Sequence, residues 1–147
     1  GRDSAIEKIN EAINKYDPDS LFSVFIEFKS HNEISNFLKK SDIFIFASSC
    51  ENMPNTLIEG MSIGLPICSS NLGPMSEILK DSGTYFNPED SESIVSAIKK
   101  MLENSEFAKE CAIKSNMLSK QYSWARCADE TFKYLFDINL KKYPLIQ

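Results

Sequence analysis

Residues 42–66 read DIFIFASSCENMPNTLIEGMSIGLP. An apolar run of strand length, Asp42 to Ser48, meets a polar loop. Pro54-Asn55-Thr56 then opens a helix predicted over about 56–63, and Gly64 stops it. The run is continuous rather than alternating, the pattern of a strand covered on both faces. A helix straight after such a strand points to a strand–helix–strand unit in a parallel sheet. Two glutamates, Glu51 and Glu59, stand around the helix opening. An apolar core would select neither, and helix stability has no need of the first.

Outward from this stretch, helices and strands keep alternating. Toward the N-terminus, Ile6, Ile9, Ile13 and Tyr16 form a helical stripe over 4–16. A DPDS turn (17–20) follows, and then LFSVFIEF (21–28), a second apolar run predicted as a strand. Ser30-x-x-Glu33 is a capping box, and its helix carries Ile34, Phe37 and Leu38 on one side. Toward the C-terminus come a short strand at 66–69, a short helix at 73–79 and a strand at 83–86. Three helices close the chain, from Asp90 or Ser91, over about 105–120, and from Ser123. On the last of these, Trp124, Cys127, Ala128, Thr131 and Leu135 make a stripe expected in the core. The reading is a doubly wound, Rossmann-like α/β fold with a parallel sheet, a single domain over 1–147 that ends in long helices. Such sheets bind ligands beyond the carboxyl ends of their strands. Glu51 directly follows one of those ends.

Composition narrows the partners. A formal charge of −5 lacks the basic stripe that a nucleic-acid backbone requires. No apolar run approaches the length of a membrane span, and no signal-peptide pattern opens the chain. Cys50, Cys68, Cys111 and Cys127 are irregularly spaced, as in a reduced, cytoplasmic protein. His31 is the only histidine, which leaves little for triads or histidine-rich metal centres. The chain opens on Gly1-Arg2-Asp3 and runs at once into a helix, as expected of a piece of a longer protein.

The helix opening suggests a chemistry. Free N–H groups at a helix start form a ready anion site, and a diphosphate is a natural occupant. Pro54 has no N–H, so the donors are the amides of Asn55, Thr56 and Leu57. Glu59 lies about one turn further in, where a carboxylate can accept both hydroxyls of a ribose. Glu51 lies on the other side, within reach of a group on the distal phosphate. The order carboxylate, amides, carboxylate fits a nucleotide diphosphate sugar. On spacing alone, an ordinary strand–loop–helix joint with two solvated glutamates stays open.

A resemblance bears on that choice. The E-x7-E pattern in ENMPNTLIE, followed by GMSIGLP, resembles the signature of the retaining glycosyltransferases of family 4, which have the GT-B fold. The likeness continues through SSNLGPMSEIL, GTYFNPEDSESI and YSWARCADETF and covers about residues 20–136. It implies that Glu51 contacts the donor sugar near the reacting carbon as the catalytic glutamate, with the Asn52 and Met53 amides on sugar hydroxyls. It places the diphosphate on the amides opening the helix, Asn55 and Thr56, and the ribose on Glu59. Phe28, Lys29 and Ser30 would line the base pocket. The substrate would be a nucleotide diphosphate sugar, without metal or cofactor in this lobe, and the acceptor a glycan or lipid. Asn52 stands where the family usually has glycine, and Gly60 where it usually has alanine. The family's donor lobe begins with a further strand and a loop carrying an Arg and a Lys, and it faces an acceptor-binding lobe. Neither is found here. The chain is therefore expected to be most of the C-terminal, donor-binding lobe, unable to complete transfer alone. It would be cytoplasmic, and peripheral to the membrane through the missing lobe.

Other candidates are weaker. Asp17-x-Asp19 matches a metal-binding D-x-D, but in a Pro-containing turn it is expected to be solvated. His31 is expected to be exposed in a first helical turn, and Cys50 to be packed. Gly73-Pro74 is a candidate for the site floor. Rival functions are a glycoside hydrolase, which also uses two carboxylates but leaves the helix opening unexplained, a nucleotide-sugar epimerase of the same fold, and a non-catalytic nucleotide-sugar-binding module.

Overall fold

β2 (Ile67–Ser70) is buried at every residue, and it organises the sheet. In a computed structural model of the chain, which describes residues 2–26 and 29–142, β2 pairs in parallel with β1 (Phe44–Phe46) on one side and β3 (Thr84–Phe86) on the other. Ile45 lies opposite Cys68, and Ser69 opposite Tyr85. The chain divides into two compact units, residues 1–34 and 35–147. Each is described by itself.

In the second unit the sheet order is β1-β2-β3, and helices cover both faces. Alternation along β2 sends Ile67 to one side and Cys68 to the other. Ile67 packs with Leu57, Met61, Met75, Ile78 and Leu79, which come from α3 (Asn55–Ile63) and α4 (Met75–Leu79). Cys68 packs with Phe86, Ala97, Met101 and Cys111, from β3, α5 (Ser91–Glu103) and α6 (Ser105–Ser119). This is the expected doubly wound parallel arrangement, and it explains why β2 reads as a continuous buried run. Caps set the helix starts: the Asp90 carboxylate accepts from the Glu92 and Ser93 amides, and the Asn104 side chain from the Phe107 amide. α3 stops at Gly64, whose φ of 80° is left-handed.

α7 (Trp124–Lys142) corrects an expectation. Its apolar stripe was expected in the core, yet every residue from Trp124 to Asn139 is exposed, Trp124 at 83%. The helix is laced by its own pairs, Arg126 with Glu130 and Lys133 with Asp129, each at 2.7 Å. Helical period selects which residues share a face, but burial depends on what lies opposite that face.

The first unit holds α1 (Arg2–Tyr16), with Ile6 and Ile13 half-buried. The run 21–28 was predicted as a strand. Its described residues, 21–26, form none, and Leu21 is 80% exposed. The reason is Asp17. Its carboxylate accepts the amides of Leu21 (2.7 Å), Phe22 (3.1 Å) and Ser23 (2.6 Å), and the Ser23 hydroxyl. Successive strand amides point to opposite sides, so three that converge on one carboxylate cannot lie in a strand. Asp17 itself is only 3% exposed, which overturns the solvated D-x-D turn; Asp19 is exposed. Burial pushes its pKa up, but the bonds from the Ser23 hydroxyl and the Leu21, Phe22 and Ser23 amides outweigh it. Together they hold the carboxyl at about 2, below its ordinary 3.8.

Of the capping box expected ahead of α2 (His31–Leu38), the Glu33 half forms, while among the described residues the Glu33 amide makes no bond to the Ser30 hydroxyl. The Ser30 hydroxyl and amide both donate to Glu33, at 2.7 and 3.0 Å. These two bonds lower the Glu33 pKa. His31 is exposed at the helix start.

Candidate functional site

The loops at the carboxyl ends of β1 and β2 meet at Glu51. β1 ends at Phe46, and residues 47–54 lead into α3. After β2 the chain turns at Gly73, with φ 58°. A Cβ on that glycine would lie 3.7 Å from the Glu51 carbonyl oxygen. Gly73 therefore brings the second loop against the first, beside the Glu51 backbone. The Ser70 hydroxyl accepts the Leu72 amide at 3.1 Å and shapes the same turn.

α3 opens without a side-chain cap. Pro54 occupies the N-cap, with φ −79° and ψ 77°, and the first turn carries no acidic residue. The opening amides are unequal. Asn55 N–H donates to the Met53 carbonyl at 2.9 Å, and Leu57 N–H to the Pro54 carbonyl at 3.0 Å. Among the described residues, the Thr56 amide makes no such loop bond. Thr56 and Asn55 are exposed, as are Asn52 and Met53, whereas Glu51 and Glu59 are half-buried. Leu57 is fully buried and ties the opening turn to the core. No Lys or Arg occurs between Ser41 and Leu79, so within this stretch an anion would be met by amide dipoles.

Gly60 sets how closely α3 approaches β1. A Cβ there would meet the Phe44 ring at 2.6 Å. The glycine that costs α3 some helix propensity thus admits an aromatic ring beneath the helix. Cys50, expected to be packed, is exposed at the edge of the loop. Phe28 lies outside the described residues. Lys29 and Ser30 belong to the first unit, where Ser30 serves the capping box.

Sequence reasoning missed two features. The Ser69 hydroxyl on β2 is buried and has no hydrogen-bond partner among the described residues. At the far end of α3, Asn116 Nδ2 donates to the Ser62 carbonyl at 2.7 Å. That bond spans two helices, and no local pattern signals it.

The sequence pattern of a family described as "Glycosyl transferases group 1" matches residues 22–116, well over half of the chain. The chain belongs to the group 1 glycosyltransferases. It is 27% identical over 88 residues to the O-antigen chain mannosyltransferase B of Escherichia coli, covering 60% of this chain and 23% of that protein. To the sulfoquinovosyl transferase SQD2 of Arabidopsis thaliana it is 25% identical over 131 residues, covering 83% and 26%. The chain thus spans about a quarter of the length of these relatives. Among solved structures, the sucrose-phosphate synthase of Thermosynechococcus elongatus superposes with a TM-score of 0.78 at 17% identity, over 92% of this chain and 35% of that one. The C-terminal domain of a glycosyl transferase group 1 family protein from Francisella tularensis superposes with a TM-score of 0.65 at 20% identity, over 80% and 62%. The group 1 chain thus has the fold of a GT-B C-terminal domain. Among the described residues, no helix is long and apolar enough to cross a membrane.

Proposed function

We propose that this chain is the donor-binding lobe of a retaining family 4 glycosyltransferase, which moves a hexosyl group from a nucleotide diphosphate sugar to a hydroxyl of a glycan or lipid acceptor. The observation that carries the reading is the uncapped opening of α3, where the amide of exposed Thr56 makes no loop bond among the described residues, with half-buried Glu51 and Glu59 before and after it in the chain. The diphosphate rests on the Thr56 amide, with those of Asn55 and Leu57 on its flanks. Glu59 accepts the ribose hydroxyls. Glu51 faces the sugar near its reacting carbon, and the Asn52 and Met53 amides hold its hydroxyls. Asn52 brings a side chain close to the sugar and so bears on which sugar fits.

The reaction exchanges one bond for another on the same face of the ring. The anomeric carbon's bond to the diphosphate oxygen breaks, and its bond to the acceptor oxygen forms. The acceptor proton passes to the departing diphosphate, so the protein supplies no general base and needs no metal in this lobe. The chain's contribution is electrostatic: amide dipoles stabilise the leaving group, and Glu51 favours positive charge developing on the sugar.

The test is titration with UDP, GDP and ADP, followed by NMR. One of them should bind, and Glu59→Ala should weaken it by roughly tenfold, the worth of a charge-assisted hydrogen bond. In the intact enzyme Glu51→Ala should lower kcat far more than it raises the donor KM. Unchanged affinity in the Glu59 variant would overturn these roles.

A further inference from the structure

We propose that Asn116 is a positioning residue for the donor site, acting through Ser62 on Glu59. The proposal rests on the donor-site reading above. A helix C-terminus leaves carbonyls without intrahelical partners. In α3, Gly64 N–H takes the Met61 carbonyl at 3.1 Å, and Asn116 Nδ2 takes the Ser62 carbonyl at 2.7 Å. A carbonyl only accepts, so the side-chain nitrogen of Asn116 must face it. The last turn of α3 has no basic residue, and this neutral donor from α6 meets its negative end. Gly64 lies under the same side chain: a Cβ there would have Asn116 Cβ and Nδ2 as its nearest neighbours, both at 3.9 Å.

The Ser62 hydroxyl then turns back and donates to the Glu59 carbonyl at 2.7 Å. Asn116, Ser62 and Glu59 form one hydrogen-bonded line from α6 to the residue assigned to the ribose. The Gly60 notch over Phe44 fixes the height of α3 above the sheet, and buried Leu57 and Met61 hold its core face. Glu59 is half-buried, and the bond from Asn116 to the following turn limits how far that part of α3 can shift. The Thr56 amide depends on this line much less. Its turn is held by buried Leu57 and by the bonds of Leu57 and Ile58 N–H to the Pro54 carbonyl.

Asn116 therefore bears on ribose recognition more than on diphosphate recognition, and a pair of probes separates the two. In Asn116→Ala, affinity for whichever of UDP, GDP and ADP binds best should fall about three- to tenfold, the size of one hydrogen bond's net worth. Affinity for inorganic pyrophosphate should change by less than about twofold on the same scale. Ser62→Ala should reproduce the split, and the double variant should be no worse than the more affected single one. Equal loss on both probes, a fall in Tm with unchanged nucleotide affinity, or additive single effects would overturn the proposal. If the unaltered chain binds neither nucleotide nor pyrophosphate, the donor reading fails instead. Amide exchange then decides the positioning: Asn116→Ala should speed exchange at residues 62–64 more than at 56–58, and a uniform or absent change would sink it.

Discussion

α3 and α7 carry apolar residues at the same helical period and end in opposite surroundings. Leu57, Gly60 and Met61 of α3 are buried beneath the sheet's first face, while α7 is exposed from Trp124 to Asn139. What separates them is the neighbour. α3 has Phe44 and Ile67 under it and α6 behind it, with Asn116 bonded to its last turn. α7 is supported within itself by i,i+4 pairs, each worth only a few tenths of a kcal/mol. Period makes a helix legible, and facing surface makes it stable.

The largest expected effect breaks that comparison directly. Leu57→Ala should cost about 2–5 kcal/mol of unfolding free energy, because the side chain is fully buried in a close-packed cluster. It should also blur the α3 opening, since the same residue anchors the first turn. Leu135→Ala on α7 should stay within about 0.5 kcal/mol. Denaturant titration of both variants checks the pair. A Leu135 loss as large as that of Leu57 would mean that this face is covered in solution.

The contrast also explains what the sequence made legible. Pro54 and Gly64 bracket α3 through local backbone chemistry, so the helix bounds were readable to within a residue. The parallel sheet was read from two continuous apolar runs, yet 21–26 forms no strand and β1 leaves Ile45 42% exposed. The strand buried at every residue is the short β2. Glu51 and Glu59 were picked out because neither suits a core, and the fold brings the Gly73 turn against the first of them. The misses share a cause. Asp17 looked like a turn residue, but its burial depends on four donors converging from residues 21–23, a geometry that composition does not encode. The exposure of α7 and the Asn116 bond are likewise tertiary facts, set by what stands across from a residue.

A second effect sharpens the account of why α3 sits so low. In an exposed helix interior, replacing glycine by alanine gains about 1 kcal/mol. Gly60→Ala should instead lose about 1–3 kcal/mol, because the new Cβ enters the Phe44 ring and a packed core resists the shift. Phe44→Leu combined with Gly60→Ala should recover most of that loss. A stabilised single variant, read by its denaturation midpoint, would show that the contact beneath α3 is loose.

The smallest effect concerns the other apolar segment left outside the sheet, residues 21–26, and it is read by pH. The Asp17 carboxyl is held at about 2 in the folded chain, against an ordinary 3.8. A depressed pKa means that the stabilisation is fully present above pH 3.8 and is lost as pH falls through 2. Amide exchange at Leu21, Phe22 and Ser23 should therefore quicken between about pH 4 and pH 2, after correction for the intrinsic pH dependence of exchange. Asp17→Asn should show the fast regime already at neutral pH and lose this pH dependence. The Leu57 and Met61 amides of α3 serve as the internal control, since no carboxylate bond holds them. If Asp17→Asn leaves the 21–23 amides protected, the carboxylate is not what bends this run away from a strand, and the difference between it and buried β2 must come from the side chains themselves.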